Sequence, residues 1–364
     1  MSTTATPDLL VCGLGPAGAV AATVAARAGL RVLGIDRRRV PGLPVQCAEF
    51  VPAMLGGDVP AVLAAQRQAI ARMDTYLGAG VEVTPDFRGR MIDRADFDAA
   101  LVAEARAAGA EIRMDTLLRR ITPEGVAVLA DGTQFAAKAI IGADGPRSVV
   151  GAAIGAPNAD VVESRQITVD LLRPHDGTDI FLRPEIAGGY EWLFPKGERA
   201  NLGLGVAPQY RDRLKPLLEA LHAQLVSEGR VGATIHATTG GAIPVGGMTG
   251  PVGRLGAVPV LLAGDAAGLT NPVTGAGIPA AVTSGQLAGE AAVALLAGDA
   301  DARADYAEEL DALYGRSLAL ARDRRRALMA RYATGEPPGP AALRRAWIAY
   351  PEYWAEARTT APAA

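Results

Sequence analysis

Apolar positions at the start of the chain fall into two short blocks separated by a glycine-rich interval. Asp8–Cys12 is an almost wholly apolar run, too brief for a helix and suited to a strand buried on both faces of a parallel sheet. After the glycines and Pro16, an alanine-rich segment predicts a helix over residues 16–27, closed by Gly29. Arg31–Asp36 (RVLGID) reads as the second strand. Leu9–Ala26 runs 18 residues without a charge, the length of a membrane span. Gly13, Gly15, Pro16 and Gly18 interrupt it, and strand, turn, helix and strand account for the pattern better.

Further along, Asp93 is placed to cap a helix whose apolar face is Phe97, Leu101, Val102 and Ala105 and which ends at Gly109. A strand at 111–114 follows, then segments around Ile121 and Val126–Leu129 with an Asp131-Gly132 turn that predicts a hairpin. Ala139–Gly142 is another short buried strand. From 158 to 248 the texture changes to polar alternation, with strands expected at 166–172, 179–182, 190–194 and 201–206 and one helix at 210–228. Parallel-sheet texture returns at Val258–Ala263, followed by a glycine-rich turn and a helix to Leu296. Residues 299–364 are helical in pattern, broken at Gly335–Pro340.

Composition narrows the partners. At 364 residues, 49% hydrophobic and 21% charged, the chain has material for more than one core and is not disordered. A net charge of -3 argues against nucleic acid. Two cysteines, Cys12 and Cys47, and three histidines without ligand spacing give no metal or iron–sulfur site. The opening MSTTATPD lacks a basic segment leading into an apolar one, so a cytoplasmic protein is expected, peripheral to a membrane at most.

The chemistry starts at Gly13-Leu14-Gly15-Pro16-Ala17-Gly18. Glycines there allow a tight turn and let a pyrophosphate reach backbone N–H groups at a helix N-terminus, whose dipole favours the anion. Asp36, 23 residues beyond Gly13, stands where an acid binds ribose hydroxyls. Gly142-Ala143-Asp144-Gly145 and Ala263-Gly264-Asp265-Ala266-Ala267-Gly268 each follow a short strand.

In this order GLGPAG, DRADFDAALVAEARAAGA, GADGPRS and AGDAAGLTNPVTGAGI resemble the FAD-binding domain shared by aromatic-hydroxylase-type flavoproteins, over residues 10–290. The resemblance implies an α/β fold with a Rossmann-like domain and non-covalent FAD. Gly13, Gly15, Pro16, Ala17, Gly18, Asp36, Arg37, Arg94 and Asp144 would hold the cofactor, and Gly264 and Asp265 its ribityl or phosphate groups. Thr274, Gly275, Ala276, Gly277 and Ile278 would border the isoalloxazine, where helix-end N–H groups stabilise negative charge on the reduced ring. The domain expected is discontinuous, 1–157 and 249–298, with a substrate-binding sheet domain at 158–248 and a helical tail at 299–364.

Two further segments narrow the resemblance. Pro44–Glu49 (PVQCAE) and Gly188–Gly197 (GGYEWLFPKG), then GLGV at 203–206, are similar to the geranylgeranyl reductase family, with Ala48 in place of its usual glycine. This implies a flavoenzyme that reduces carbon–carbon double bonds of an apolar, isoprenoid-type substrate, with Cys47 beside the flavin. Tyr190, Trp192 and Phe194, on one face of a strand, would line the substrate pocket, ordinary core being the other reading. Glu49 is either a proton relay or a salt-bridged structural group.

Hydroxylases carry an arginine that helps dock NADPH where Gly151 stands here, leaving NAD(P)H and a reduced electron carrier both open as donors. A flavin monooxygenase and an electron-transfer flavoprotein are the rival functions, because one scaffold serves all three. Eight arginines between Arg316 and Arg345 face two acids, a local net of +6. They form either a solvated face or a docking surface for an acidic electron-carrier protein or an anionic membrane.

Overall fold

The computed structural model describes residues 6–55 and 59–355; the last nine positions of the expected helical tail lie outside them. A six-stranded sheet runs in the order Val252–Leu255, Val258–Leu262, Ala139–Gly142, Leu9–Cys12, Val32–Ile35, Glu111–Arg113. All neighbours are parallel except the edge strand Val252–Leu255. Every residue of Leu9–Cys12, Val32–Ile35 and Ala139–Gly142 is buried, which is why these strands read as unbroken apolar runs.

The first helix, Pro16–Arg27, packs along the long helix Ile278–Ala297 at backbone contact. A side chain at Gly285 would overlap the Ala17 carbonyl, and one at Gly289 would press on Val24 at 2.8 Å. The small residues of both helices therefore set how closely the glycine turn approaches the rest of the site. Ile278–Ala297 is apolar enough to cross a membrane, yet half of it is buried in this packing. Asp93 caps the helix Arg94–Ala107 as expected, accepting the Ala95 and Asp96 N–H groups.

The second sheet has seven strands: Val231–Pro244, Val161–Leu171, Arg199–Val206, Glu191–Lys196, Gly177–Leu182, Arg72–Leu77 and Gly80–Thr84. It is therefore not confined to 158–248. Arg72–Leu77 pairs in parallel with Gly177–Leu182, and Gly80–Thr84 extends the edge. Leu218, Leu221 and Leu225 of the helix Leu214–Ser227 bury one face. Asp74 and Asp179 of this sheet and His175, in the loop before Gly177–Leu182, bring ligand-type atoms within 4.8 Å of one another, a grouping their spacing does not announce. Arg72 (3.1 Å from Asp74) and Arg230, on Asp179, already answer those carboxylates.

The C-terminal helices Arg316–Ala333, Pro340–Arg345 and Pro351–Trp354 bracket the predicted break. Three of the eight arginines turn inward or onto the chain's own end: half-buried Arg325 donates to the Gly188 carbonyl, Arg324 donates to the Tyr353 and Ala355 carbonyls, and Arg344 pairs with Glu352 at 2.7 Å. Arg316, Arg326, Arg331 and Arg345 remain exposed.

Candidate active site

A cavity of about 640 Å³ runs from the glycine turn, past the strand ends of the first sheet, to the inner face of the second. Its glycines divide two tasks. Gly13 has φ +90°, and a side chain there would overlap Ala143; one at Gly18 would overlap the Gly13 carbonyl. These two allow the turn to close on itself and on the next strand. Gly15 is different: its backbone is extended, and a Cβ would meet nothing within 4 Å. It is the N-cap of the first helix, without a side-chain cap, and it lines the cavity. Uncapped N–H groups at a helix N-terminus, opening on a cradle that a side chain would fill, fit a pyrophosphate.

Asp36 is buried and ties the strand end to this turn. Leu14 N–H donates to Oδ2 at 2.7 Å and Arg38 N–H to Oδ1 at 2.8 Å, and the carboxylate borders the cavity beside exposed Arg37. Asp144 also lines the cavity, but the Ser148 hydroxyl (2.5 Å) and the Val149 and Val150 N–H groups (2.7 and 3.2 Å) occupy its carboxylate. It shapes the loop rather than offering a free oxygen. Burial pushes its pKa up against those bonds. Gly151, at the expected arginine position, lies in the next short helix.

Asp265 sits in the turn Gly264–Ala267, where Gly264 has φ +60°. The Thr270 hydroxyl donates to Oδ1 at 2.7 Å, while Oδ2 makes no hydrogen bond among the described residues. Burial raises its pKa, and Thr270 and the Arg94 charge oppose the shift. Asn271 Oδ1 accepts the Val273 and Thr274 N–H groups at 3.0 Å, shaping the loop that leads to the second uncapped helix start at Gly277. Gly275, Gly277 and Ile278 line the cavity, whereas Ala276 is exposed outside it.

Opposite lies Cys47. Burial pushes its thiol up, so it is neutral, although Arg94 and the Glu49 N–H (3.2 Å) favour the thiolate. Arg94 borders the cavity with its guanidinium locked bidentately on Asp98, at 3.0 Å twice. Glu49 does not line the cavity. Its carboxylate accepts Arg94 N–H at 2.9 Å, Lys196 Nζ at 2.7 Å and Asn201 Nδ2 at 2.8 Å, in a residue with φ 72°. Of its two expected roles the geometry provides the salt-bridged one; a proton relay at the flavin would need a carboxylate on the cavity wall.

The aromatic strand divides likewise. Tyr190 and Trp192 line the cavity, but Phe194 turns into a cluster with Phe50 and Met91, so it is core rather than pocket wall. Tyr190 donates to the Thr274 carbonyl at 2.5 Å, joining the two sheets across the site. Trp347 and Tyr350 cover the back of this cluster, with Trp347 4.6 Å from the Tyr190 ring.

The region 161–242, which holds most of that second wall, matches the model of the geranylgeranyl reductase catalytic domain. Digeranylgeranylglycerophospholipid reductase 2 of Methanopyrus kandleri is 37% identical over 316 residues, covering 80% of this chain and 78% of the relative. The chain belongs to the geranylgeranyl reductase family. The digeranylgeranylglycerophospholipid reductase of Methanocella arvoryzae agrees, at 32% identity over 85% of this chain and 84% of its own. A geranylgeranyl bacteriochlorophyll reductase-like structure from Thermoplasma acidophilum superposes with a TM-score of 0.77, at 26% identity, covering 88% of this chain and 87% of that one. A probable FAD-dependent monooxygenase from Pseudomonas aeruginosa reaches 0.68 at 17% identity over 90% and 96%, which shows the shared fold alone.

The protein is thus an FAD-dependent oxidoreductase of the reductase kind, and the cradle described above fits FAD. Among geranylgeranyl reductase features, sequence reasoning missed the side chains that join the two walls. Gln166 donates to the Cys47 carbonyl and accepts the Trp192 indole N–H, both at 3.0 Å, so one amide fixes the thiol loop and the aromatic ring together. Asn201 and Lys196 do the same for Glu49. Their signal was present in part: Lys196 belongs to the aromatic-strand motif, and Gln166 opens an expected strand.

Proposed function

We propose that the protein reduces carbon–carbon double bonds in the isoprenoid chain of a lipid, with FAD bound non-covalently along the cavity. One observation carries this: a single cavity joins an uncapped glycine cradle to an apolar slot under Tyr190, Trp192, Val162, Ile243 and Val273, with a neutral thiol at the junction. Bound FAD supplies the hydride. Gly15 and the first helix hold the pyrophosphate, Asp36 the ribose, and Asp265 Oδ2 the ribityl chain, while the helix start at Gly277 borders the ring. The apolar walls orient the alkene and exclude water. Cys47 Sγ holds the proton for the second carbon, and Arg94 stabilises the charge left on sulfur. Glu49 acts through position, directing its own N–H at that sulfur.

With Gly151 lacking a side chain to grip a nicotinamide cofactor, a reduced electron carrier is the favoured donor over NAD(P)H. The exposed Arg316, Arg326, Arg331 and Arg345 supply a basic face for an acidic carrier, or for the membrane that holds the lipid. The protein then works in the cytoplasm, at the membrane surface. The test is anaerobic: flavin reduced with dithionite is mixed with geranylgeranyl lipid. Reoxidation with a product two hydrogens heavier supports the proposal. Reoxidation only once oxygen is admitted, with a hydroxylated product, replaces it with the monooxygenase.

A further inference from the structure

On the aromatic side of the cavity wall stands a cation that, among the described residues, has no ion-pair partner. Arg325, on the helix Arg316–Ala333, is half-buried, and among the described residues its guanidinium makes one hydrogen bond, to the Gly188 carbonyl. Two other half-buried arginines are paired: Arg94 with Asp98 at 3.0 Å, and Arg230 with Asp179. Burial pulls both pKa values down, and the acidic partners more than offset it, so they end above the ordinary value. Burial pulls Arg325 down, to about 10, and the Asp160 charge offsets this only in part. It stays charged at neutral pH, at a desolvation cost that the Gly188 carbonyl and the Asp160 charge repay only in part.

Its place indicates what would repay that cost. Arg325 lines the same cavity as Gly188, Gly189 and Tyr190, and its bond to Gly188 sets it two residues from the aromatic ring. Val162, Ile243 and Val245 are its apolar companions in that wall. A guanidinium offers five N–H donors in a planar fork that matches the paired oxygens of a phosphate or carboxylate. We infer that the substrate enters this apolar slot carrying an oxyanion, phosphate or carboxylate, which pairs with Arg325 and sets which stretch of its chain lies at the reacting centre. The isoprenoid part of this statement rests on the proposed function; the anion does not.

The experiment uses the full chain loaded with FAD and measures binding by calorimetry alongside turnover. Four probes share one chain: geranylgeranyl diphosphate, geranylgeranyl glycerophosphate, geranylgeranoic acid and neutral geranylgeraniol. The wild-type protein is expected to prefer anionic probes to the alcohol by about ten- to hundredfold. Arg325→Gln is expected to collapse that ratio toward one, and Arg325→Lys to keep part of it. The ranking among anionic probes identifies phosphate or carboxylate as the source. Equal affinity for all four in the wild type overturns the inference, as does an equal loss on all four in Arg325→Gln with a lowered melting temperature, the mark of a packing role. Loss of FAD from Arg325→Gln also overturns it and assigns the charge to the cofactor. If no prenyl probe binds while benzoate does so in an Arg325-dependent way, the isoprenoid reading falls and the anion site stands.

Discussion

Replacing Gly15 by valine separates cofactor binding from folding, because the structure gives this position no protein neighbour. A Cβ there meets nothing within 4 Å, and the backbone, at φ -68° and ψ -172°, is extended and open to any residue. Stability of the cofactor-free protein should therefore change by no more than about 1 kcal/mol, since the freedom lost by the unfolded chain is set against valine's poorer fit as an N-cap. The side chain instead fills the space before the first helix and keeps the pyrophosphate from its N–H groups. Losing two charge-assisted hydrogen bonds at roughly 1.5–3 kcal/mol each weakens FAD by about 3–6 kcal/mol, or about a hundred- to ten-thousandfold in Kd. Fluorescence titration of the cofactor-free protein with FAD, beside its melting curve, reads both quantities. Gly13→Val is the contrast: at φ +90° and against Ala143 it should fail to fold. A Gly15→Val protein that binds FAD within tenfold of wild type would refute the turn as the phosphate site. One that melts far below wild type would refute the claim that the position is open.

Cys47→Ser should retain FAD and its melting temperature but slow single-turnover reoxidation by the alkene, because a hydroxyl is the poorer proton donor; unchanged reoxidation would remove Cys47 from the chemistry. Glu49→Gln turns an amide donor toward three donors and leaves Lys196 only the more distant Asp93, at 3.8 Å, costing about 3 kcal/mol of stability by chemical denaturation. The double variant with Lys196→Met should cost less than the two single changes together, and strict additivity would refute the pairing. Glu191, on the strand face opposite the cavity, has its carboxyl pushed up to about 7 by burial; Arg183 lies 2.8 Å from Oε2 but outside hydrogen-bonding geometry. With a raised folded pKa the native state binds the proton more tightly, so stability falls as pH rises from 4.5 to about 7, by up to roughly 3 kcal/mol. Glu191→Gln should flatten that slope in melting curves taken across the window.

What the sequence disclosed follows burial. The strands of the first sheet are buried on both faces, so they show as apolar runs, and their glycine turns mark the cradle directly. The long strand Val231–Pro244 is different: most of its residues are half-buried or exposed, so no apolar alternation reveals it, though it carries Thr239–Ile243 along the cavity. Arg72–Leu77 joins the second sheet by pairing with residues about a hundred positions away, a register that no local pattern encodes. Phe194 and Tyr190 share a strand face, yet only contact with Phe50 and Met91 shows that the face changes from pocket to core along its length.

Arg325 shows how a functional charge hides among its neighbours. Inside a run of eight arginines it reads as one more solvated cation, and net charge cannot single it out. Helical periodicity can. Leu318 and Ala321 are buried, and Met329 lies against Gly188, so Leu318, Ala321, Arg325 and Met329 follow one another at helical spacing along the face turned to the protein. A charge on the inward face of an amphipathic stripe is costly unless something answers it, and here the described residues supply one carbonyl and the partial offset of the Asp160 charge. The counter-charge is therefore to be sought in what the cavity binds, and the basic helix carries two distinct functions: exposed arginines for a surface, and one inward arginine for a ligand.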